Sequence, residues 1–591
     1  MSNVNAFDEE MLMVKVHTGN EQQLYHSKLY DQDAHMISYS SEYAADRIIC
    51  DKNFELGEKI FDKIIALQDV NPESKTYGLW PWYAEETLEE MSPPDYNMSG
   101  FNSKEMLMVL FEEWDNISLE MREKMLVSIG RACECIMKRN VSPAYTNVCI
   151  TECFVTVTAG ELIGNERYMN FGRNKFERFL YYVKGKGGIL EYNSPTYSIL
   201  AINDIGDCLK CIKDEQTLDI VKKINFMLWK MTAEHFVYDI LQLAGPQERA
   251  YADFVDSKFL KTIARGCGID YSKHPMFKKL IASNVEEGKI RFAINQADYF
   301  APSRTNPKCP EELIPYFTGE KEYRDLRRFV TDGYNYPFFE FPKTAITYRS
   351  DDYVIGTYNK CEMWNQRRPF LGYIYGETPI SFRVKCYHDG FDFSSGTFHA
   401  IQHKSNILGS VNFSENRGDT HVCIDMISGG LVDAEDLRVT FELCGDMKNV
   451  GYEKDGELLN LIVNGKKIRI NAFIKEFGKN EVQESIDMTD NKIHYSLIFY
   501  KGERKTVNLC DAEKAMLAFT VEMEPEEVYV KPEYHEEEDM MHISWKPAER
   551  KLGLVSPKKT LKFIRNMHED MQLLDDKNML DELYNESLMD I

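Results

Sequence analysis

Residues 191–197 read Glu-Tyr-Asn-Ser-Pro-Thr-Tyr, and the Ser194-Pro195 pair inside them is the third of a series. Ser92-Pro93 and Ser142-Pro143 precede it and Gly245-Pro246 follows, so successive prolines stand 50, 52 and 51 residues apart. A fixed period of this length marks an internal repeat. Serine as N-cap with proline at the first helical position is a favoured helix start, because proline lacks the N–H that would be orphaned there. Each unit is therefore predicted to open with a helix. Apolar residues between the prolines recur every three or four positions, as in 118–140 and 214–243, which is helical spacing. One period holds two helices and their turns, 142–164 with 166–183 and then 194–212 with 215–237. Stacked hairpins of this size form an open solenoid or a closed α/α toroid. In a toroid every second helix points its N-terminus to one end, which gathers the Ser-Pro loops on a single rim.

From residue 343 to about 524 the texture changes to short β-rich runs such as TAITYRS, ISFRVKCYH, HVCIDMIS and LRVTFELCG, separated by Gly, Asn and Asp. Asn464-Gly465 between two apolar runs is a strong hairpin signal. The predicted fold class is an α+β multidomain chain. It has an N-terminal α/α toroid, incomplete or a full helical barrel, over 1–335, with 300–340 as its linker or last turn. An antiparallel β-sandwich spans 336–525. The last part, 526–591, holds an acidic segment, read as a solvated loop, and a C-terminal helix packing on the sandwich.

Composition narrows the function. The 591 residues carry a net charge of −25, with 43% hydrophobic and 12% aromatic residues. That is enough for a large core, and the negative balance excludes nucleic acid and membrane as expected partners. The start, MSNVNAFDEEMLMVKV, has no basic stretch leading into an apolar core, and the 14 scattered cysteines suit a reducing compartment, so a cytoplasmic location is expected. A homo-oligomer stays open as an assembly.

The loops at the proline positions are rich in rings and amides. Trp80, Trp82 and Tyr83 precede the first unit; Tyr145 and Asn147 stand in the second; Tyr192, Asn193 and Tyr197 in the third; Gln247, Arg249 and Tyr251 after the fourth proline. Rings stack on apolar sugar faces while amides and guanidinium groups pair with hydroxyls and carboxylates, so this rim predicts a sugar-binding cleft.

A helical toroid followed by an antiparallel sandwich, with an Asn in a toroid loop and a Tyr about sixty residues later, resembles the toroid-plus-sandwich polysaccharide lyases, the heparinase II/III and alginate lyase superfamily. The loop EYNSPTY is also similar to a rhamnosyl-glucuronate lyase-type family of that architecture. The resemblance implies a lyase that cleaves a glycosidic bond at a uronic acid by β-elimination, on acidic oligosaccharides or glucuronides. Carried onto this chain, Asn193 becomes the neutraliser of the substrate carboxylate and Tyr251 the base or acid. Arg249 is a second partner for the carboxylate and a means of lowering the phenol pKa of Tyr251. The superfamily's Asn is commonly followed by His, whereas Ser194 follows here, so the imidazole is sought in the sandwich, where His403 is favoured over His399. Trp80, Trp82, Tyr83, Asn147, Tyr192, Tyr197, Gln247 and His399 are the expected substrate-binding residues.

No cofactor is expected, although the spacing of His388, Asp389, His399 and His403 leaves room for a structural divalent metal such as zinc. Two alternatives stand beside the lyase. One is a glycoside hydrolase of the toroid type, with paired carboxylates drawn from Glu85, Glu86, Glu191, Asp204, Asp207 and Glu248. The other is a non-catalytic carbohydrate-binding protein. Cys208 and Cys211 share a helix face and read as core thiols, and Lys184-Gly-Lys-Gly-Gly188 reads as a turn between helices.

Overall fold

The computed structural model describes residues 6–18, 26–282, 294–332, 341–413 and 430–559. The strand expected at 421–428, part of the expected linker at 333–340 and the expected C-terminal helix beyond Lys559 lie outside the described residues. Contacts divide the chain into two units, one made of 1–183, 200–226 and 301–308, the other of 184–199, 227–300 and 309–591.

In the first unit α1 (Ile37–Ile49) packs on α2 (Phe54–Ala66) and α3 (Asn97–Glu113). Helix α3 in turn packs on α4 (Leu119–Arg139) and α5 (Thr146–Ile163). Helices α3 and α5 are buried nearly all round, whereas α4 and α6 (Glu166–Lys186) bury one stripe and expose the other. That contrast separates an inner from an outer layer. The layers sit close: a Cβ at Gly172 of α6 would lie 2.5 Å from Thr156 Oγ1 of α5. Helices α7 (Tyr197–Cys211) and α8 (Glu215–His235) form the next hairpin. Within the first unit the inner helices are tied by buried charge. Thr151 Oγ1 donates to Asp204 Oδ2 at 2.6 Å, and Lys104 Nζ pairs with Asp204 and lies 3.1 Å from Asp207. This succession of two-layered hairpins is the expected α/α toroid architecture.

The helix starts follow the capping rule at one proline and depart from it at others. Ser194 Oγ accepts from Tyr197 N at 2.9 Å, and Ser198 N reaches Ser194 O, so Ser194 caps α7 as expected. Ser142 instead closes a turn, with Tyr145 N on its carbonyl, and α5 begins one turn later at Thr146. Pro93 precedes α3 by four residues, and Pro246 opens no helix; the next one, α9 (Ser257–Cys267), is capped by Asp256.

The second unit holds a nine-stranded and a seven-stranded antiparallel sheet that enclose an apolar core including Phe370, Phe382, Val384, Phe398, Ala400, Phe441 and Phe519. The first strand of the larger sheet is Asp325–Asp332, so β-structure begins inside the segment expected as linker. Asn464 and Gly465 join Leu458–Val463 to Lys466–Phe477 with φ of 50° and 80°, the left-handed pair that a two-residue hairpin requires.

A further three-stranded sheet, Glu533–Glu537, Met540–Trp545 and Leu552–Pro557, packs Met541, Ile543 and Trp545 on Ile401, Leu408 and Met516 of the seven-stranded sheet. The acidic stretch expected as a loop is thus partly an exposed strand. Among the described residues no helix is long and apolar enough to cross a membrane. The described cysteines are all free thiols, and Cys208 and Cys211 are buried.

Candidate functional site

The second unit contains both loops that the sequence marks for chemistry, 191–197 and 244–253. The second loop is threaded tightly over the sheet. A Cβ at Gly245 would lie 2.6 Å from Leu371 Cβ, and one at Gly356 only 2.0 Å from Gly245 O, so both contacts require glycine. Thr347 Oγ1 donates to Gly245 O at 2.6 Å, Gln247 and Arg368 exchange backbone hydrogen bonds, and Ala250 N reaches Gln366 O at 2.8 Å.

Asn193 holds this loop from the other side. It is buried, has a φ of 53°, and its Nδ2 donates to Ala244 O at 2.7 Å and to Pro246 O at 2.8 Å. Both amide hydrogens are spent on backbone carbonyls. The remaining side-chain atom, Oδ1, is an acceptor, which repels rather than neutralises a carboxylate. The expected role of Asn193 is therefore corrected: it shapes the loop.

Tyr192 and Gln247 are corrected in the same way. The Tyr192 ring is buried, with its hydroxyl on His235 Nε2 at 3.1 Å, and Gln247 Nε2 is turned inward to Leu243 O at 2.8 Å. His235 Nδ1 faces Met231 O at 2.9 Å, and burial pushes the imidazole pKa down to about 4, which keeps it neutral.

The second loop hands two side chains, Arg249 and Tyr251, to a cluster that Tyr197 of the first loop completes. Arg249 Nη2 donates to Tyr197 Oη at 2.8 Å and to Tyr251 Oη at 3.2 Å, and the two phenol oxygens are 3.0 Å apart. The guanidinium carbon lies 5.0 Å from the Tyr197 ring centroid and 5.7 Å from that of Trp364, so the cation is in cation–π contact with both rings. Arg249 has a φ of 50°, a left-handed conformation that costs an ordinary side chain about 1–2 kcal/mol. Its carbonyl is tethered by Ser194 Oγ at 3.0 Å. Tyr251 is 55% exposed, and it is the member of the cluster open to a ligand. Its pKa is raised, by partial burial and by the Tyr197 phenol, with Arg249 pulling the other way. The expectation that Arg249 brings the phenol below its ordinary value is corrected.

Tyr251 lines a cleft of about 360 Å³ together with Asp253, Asn365, Gln366, Arg368, Arg383 and Lys385. Asp253 is clamped by Arg368 at 2.8 Å and Arg383 at 2.6 Å; burial works to raise its pKa, and the two arginines outweigh it and hold it low. Asp253 and Lys385 also line a groove of about 800 Å³ on the outer face of the nine-stranded sheet. There Glu442 accepts from Lys385 at 2.8 Å and faces His494 Nε2 at 2.6 Å.

The histidines expected to complete the site stand elsewhere. In strand Gly396–His403, Phe398 and Ala400 enter the core between the sheets, so His399 and His403 project from the opposite, outer face of the seven-stranded sheet. Arg383 and Lys385, which alternate with Phe382 and Val384, project from the outer face of the nine-stranded one. The sandwich core separates them. His399 is buried, and burial plus Lys360 drives its pKa down to about 3; burial, Arg550 and Arg327 lower that of His403. Neither lines the Tyr251 cleft among its described residues, which corrects both assignments. The same geometry disperses the metal set of the sequence, since His388 is on the nine-stranded sheet, with Nε2 on Asp433 O at 2.7 Å.

The remaining rim residues belong to the first unit. Trp80 is buried, with Nε1 on Ile64 O at 2.8 Å, and Tyr83 is buried, so both are core residues and not binding surfaces. Trp82 is half-buried and donates to Asp95 at 2.9 Å. Asn147 sits half-buried in the first turn of α5, with no hydrogen-bond partner on Oδ1 among the described residues. Of the carboxylates that a hydrolase would draw on, Asp204 and Asp207 face Lys104, while Glu248 is buried between Lys343 and Arg367.

Asp253, Trp364, Arg383 and Lys385 were not singled out in the sequence. For the two cations a signal existed: in 380–388 they hold the polar positions of a period-two alternation, which places them together on one sheet face.

A family model described as a domain of unknown function (DUF8769) matches residues 5–267. No curated protein matches the sequence. Among solved structures, the chain is similar to heparinase III, with a TM-score of 0.45, 10% identity, and coverage of 88% of this chain and 82% of that one. It is also similar to the Streptomyces coelicolor A3 chondroitin AC lyase in complex with chondroitin sulphate, with a TM-score of 0.45, 7% identity, and coverage of 88% and 80%.

Proposed function

We propose that the Tyr251 cleft binds an acidic oligosaccharide or glucuronide and that the chain is a carbohydrate lyase cleaving at a uronic acid by β-elimination. The observation that carries the reading is the Tyr197–Arg249–Tyr251 cluster at the edge of a cleft lined by Arg368, Arg383 and Lys385. Three cations against Asp253 and Asp392 leave this cleft positive in a protein of net charge −25. That local excess suits a carboxylate.

In β-elimination the C5–H and C4–O bonds break, a C4–C5 double bond forms, and the proton ends on the leaving oxygen. Pairing of the uronate with the cleft cations withdraws charge and acidifies C5–H, a role that Asn193 does not fill here. The two phenols share one guanidinium, which opposes the rise of the Tyr251 pKa without cancelling it, so the C5 proton is taken by the fraction of the pair that has already lost one of its own. The pair can accept the C5 proton and return one to the leaving oxygen. The raised pKa of Tyr251 supports the acid part of that cycle.

The test is ultraviolet absorbance of the unsaturated uronyl product during incubation with a panel of uronic-acid oligosaccharides. A rise that Tyr251→Phe abolishes is expected. Binding without a rise would favour the second reading, a carbohydrate-binding protein, which the commitment of the Asn193 amide to the loop supports. New reducing ends without unsaturation would point to hydrolysis.

A further inference from the structure

Away from this cleft, the three-stranded sheet at 533–557 presents a second cluster. His535 and His542 are directly opposed in the antiparallel register of Glu533–Glu537 and Met540–Trp545. Their rings stack, with centroids 5.0 Å apart and planes 13° from parallel. Glu537, two residues beyond His535, falls on the same face, and its Oε2 is 3.3 Å from His542 Nε2. One ligand atom from each of the three residues lies within 4.8 Å of the others.

We infer that His535, Glu537 and His542 form a binding site for a divalent transition-metal ion of the zinc, cobalt or nickel type. Two neutral imidazoles and a carboxylate are the borderline donor set that such ions select, and hard ions such as calcium or magnesium prefer all-oxygen sites. The sheet makes the arrangement rigid on one side: Met541, Ile543 and Trp545, which alternate with His542, are anchored in the core. The opposite face is left to the ligands, with Glu537 and His535 exposed. Three protein ligands leave a fourth position for water or a substrate atom. The surroundings favour a cation, since residues 522–539 carry nine acidic residues and one lysine. The site cross-links an exposed strand to its neighbour, so metal would hold the Glu533–Glu537 strand in register.

The test uses the full chain, stripped with a chelator and titrated with cobalt(II) alone. One equivalent is expected to bind with ligand-field bands of nitrogen and oxygen coordination. His535→Asn and His542→Asn are each expected to weaken binding by more than about tenfold, a loss seen even for outer-shell partners of metal sites. In the absence of metal both variants are expected to unfold at the same denaturant concentration as the parent chain, because neither side chain enters the core. Retention of the bound equivalent in the double variant, a thiolate-to-cobalt charge-transfer band, or no binding at all would each overturn the assignment.

Discussion

The loops 191–197 and 247–253 carry the same kinds of residue, and they do opposite work. In the first, Tyr192 and Asn193 are buried and their side-chain donors are spent on the protein itself, on His235, Ala244 and Pro246. In the second, Tyr251 lines the cleft and the buried Arg249 donates to its phenol from behind. The Asn and the Tyr that a sequence reading pairs as one catalytic unit are here separated by burial: the first loop is the mould, and the second is what the mould holds.

The largest expected effect tests the presented half. Tyr251→Phe removes one half-exposed hydroxyl, so stability should move by no more than about 0.5 kcal/mol. Turnover on a uronic-acid oligosaccharide should fall by roughly 100- to 10,000-fold, the range for a lost general acid or base. Steady-state rates together with a denaturation curve check both parts. An active Tyr251→Phe chain would remove the chemistry from this loop.

Asn193→Ala attacks the mould. Two buried carbonyls lose their donor, and the loss should cost about 2–4 kcal/mol, read as a lower denaturation midpoint. If stability were unchanged and only turnover fell, Asn193 would return to the role of carboxylate neutraliser and the contrast between the loops would collapse.

How much of this was legible follows from what each feature depends on. Helical hairpins and the Asn464-Gly465 turn depend on local periodicity and dihedral preference, and both were readable. The strand at Asp325–Asp332 and the sheet at 533–557 were missed because charged residues such as Arg327, Arg328 and Glu533–Glu537 mask the strand pattern. The histidines were misplaced for a different reason. A period-two strand tells which residues share a face with His399, but which of two outer faces that is depends on the partner sheet. The burial of Asn193 is a tertiary fact of the same kind.

A third prediction concerns the neutral imidazole beneath the first loop. His235 titrates near 4 in the folded chain and near 6.5 when unfolded. A folded pKa below the unfolded one means that its contribution is complete above about 6.5 and is lost as pH falls toward about 4. Between pH 7 and pH 5 this amounts to about 2 kcal/mol. Urea midpoints of the parent chain should drop over that interval, and those of His235→Gln should drop less. Parallel profiles would show that the imidazole is already charged, and the Tyr192–His235 contact would then be no part of an inert mould.

The smallest expected effect lies where the two loops meet. Ser194 Oγ accepts from Tyr197 N and donates to Arg249 O, so one hydroxyl caps the helix that carries one phenol and tethers the residue that binds both. Ser194→Ala should cost about 1 kcal/mol as a lost cap. Its effect on turnover should be larger than that stability change alone would bring, because Arg249 is held in a left-handed backbone that it would otherwise leave. The decisive reading is the split between kcat and KM. A fall in kcat with KM unchanged would show that the first loop acts on the chemistry only through the position of Arg249. A rise in KM alone would place Ser194 in substrate binding, and a turnover indifferent to the change would leave the backbone bridge between Gln247 and Arg368 as the element that fixes the guanidinium.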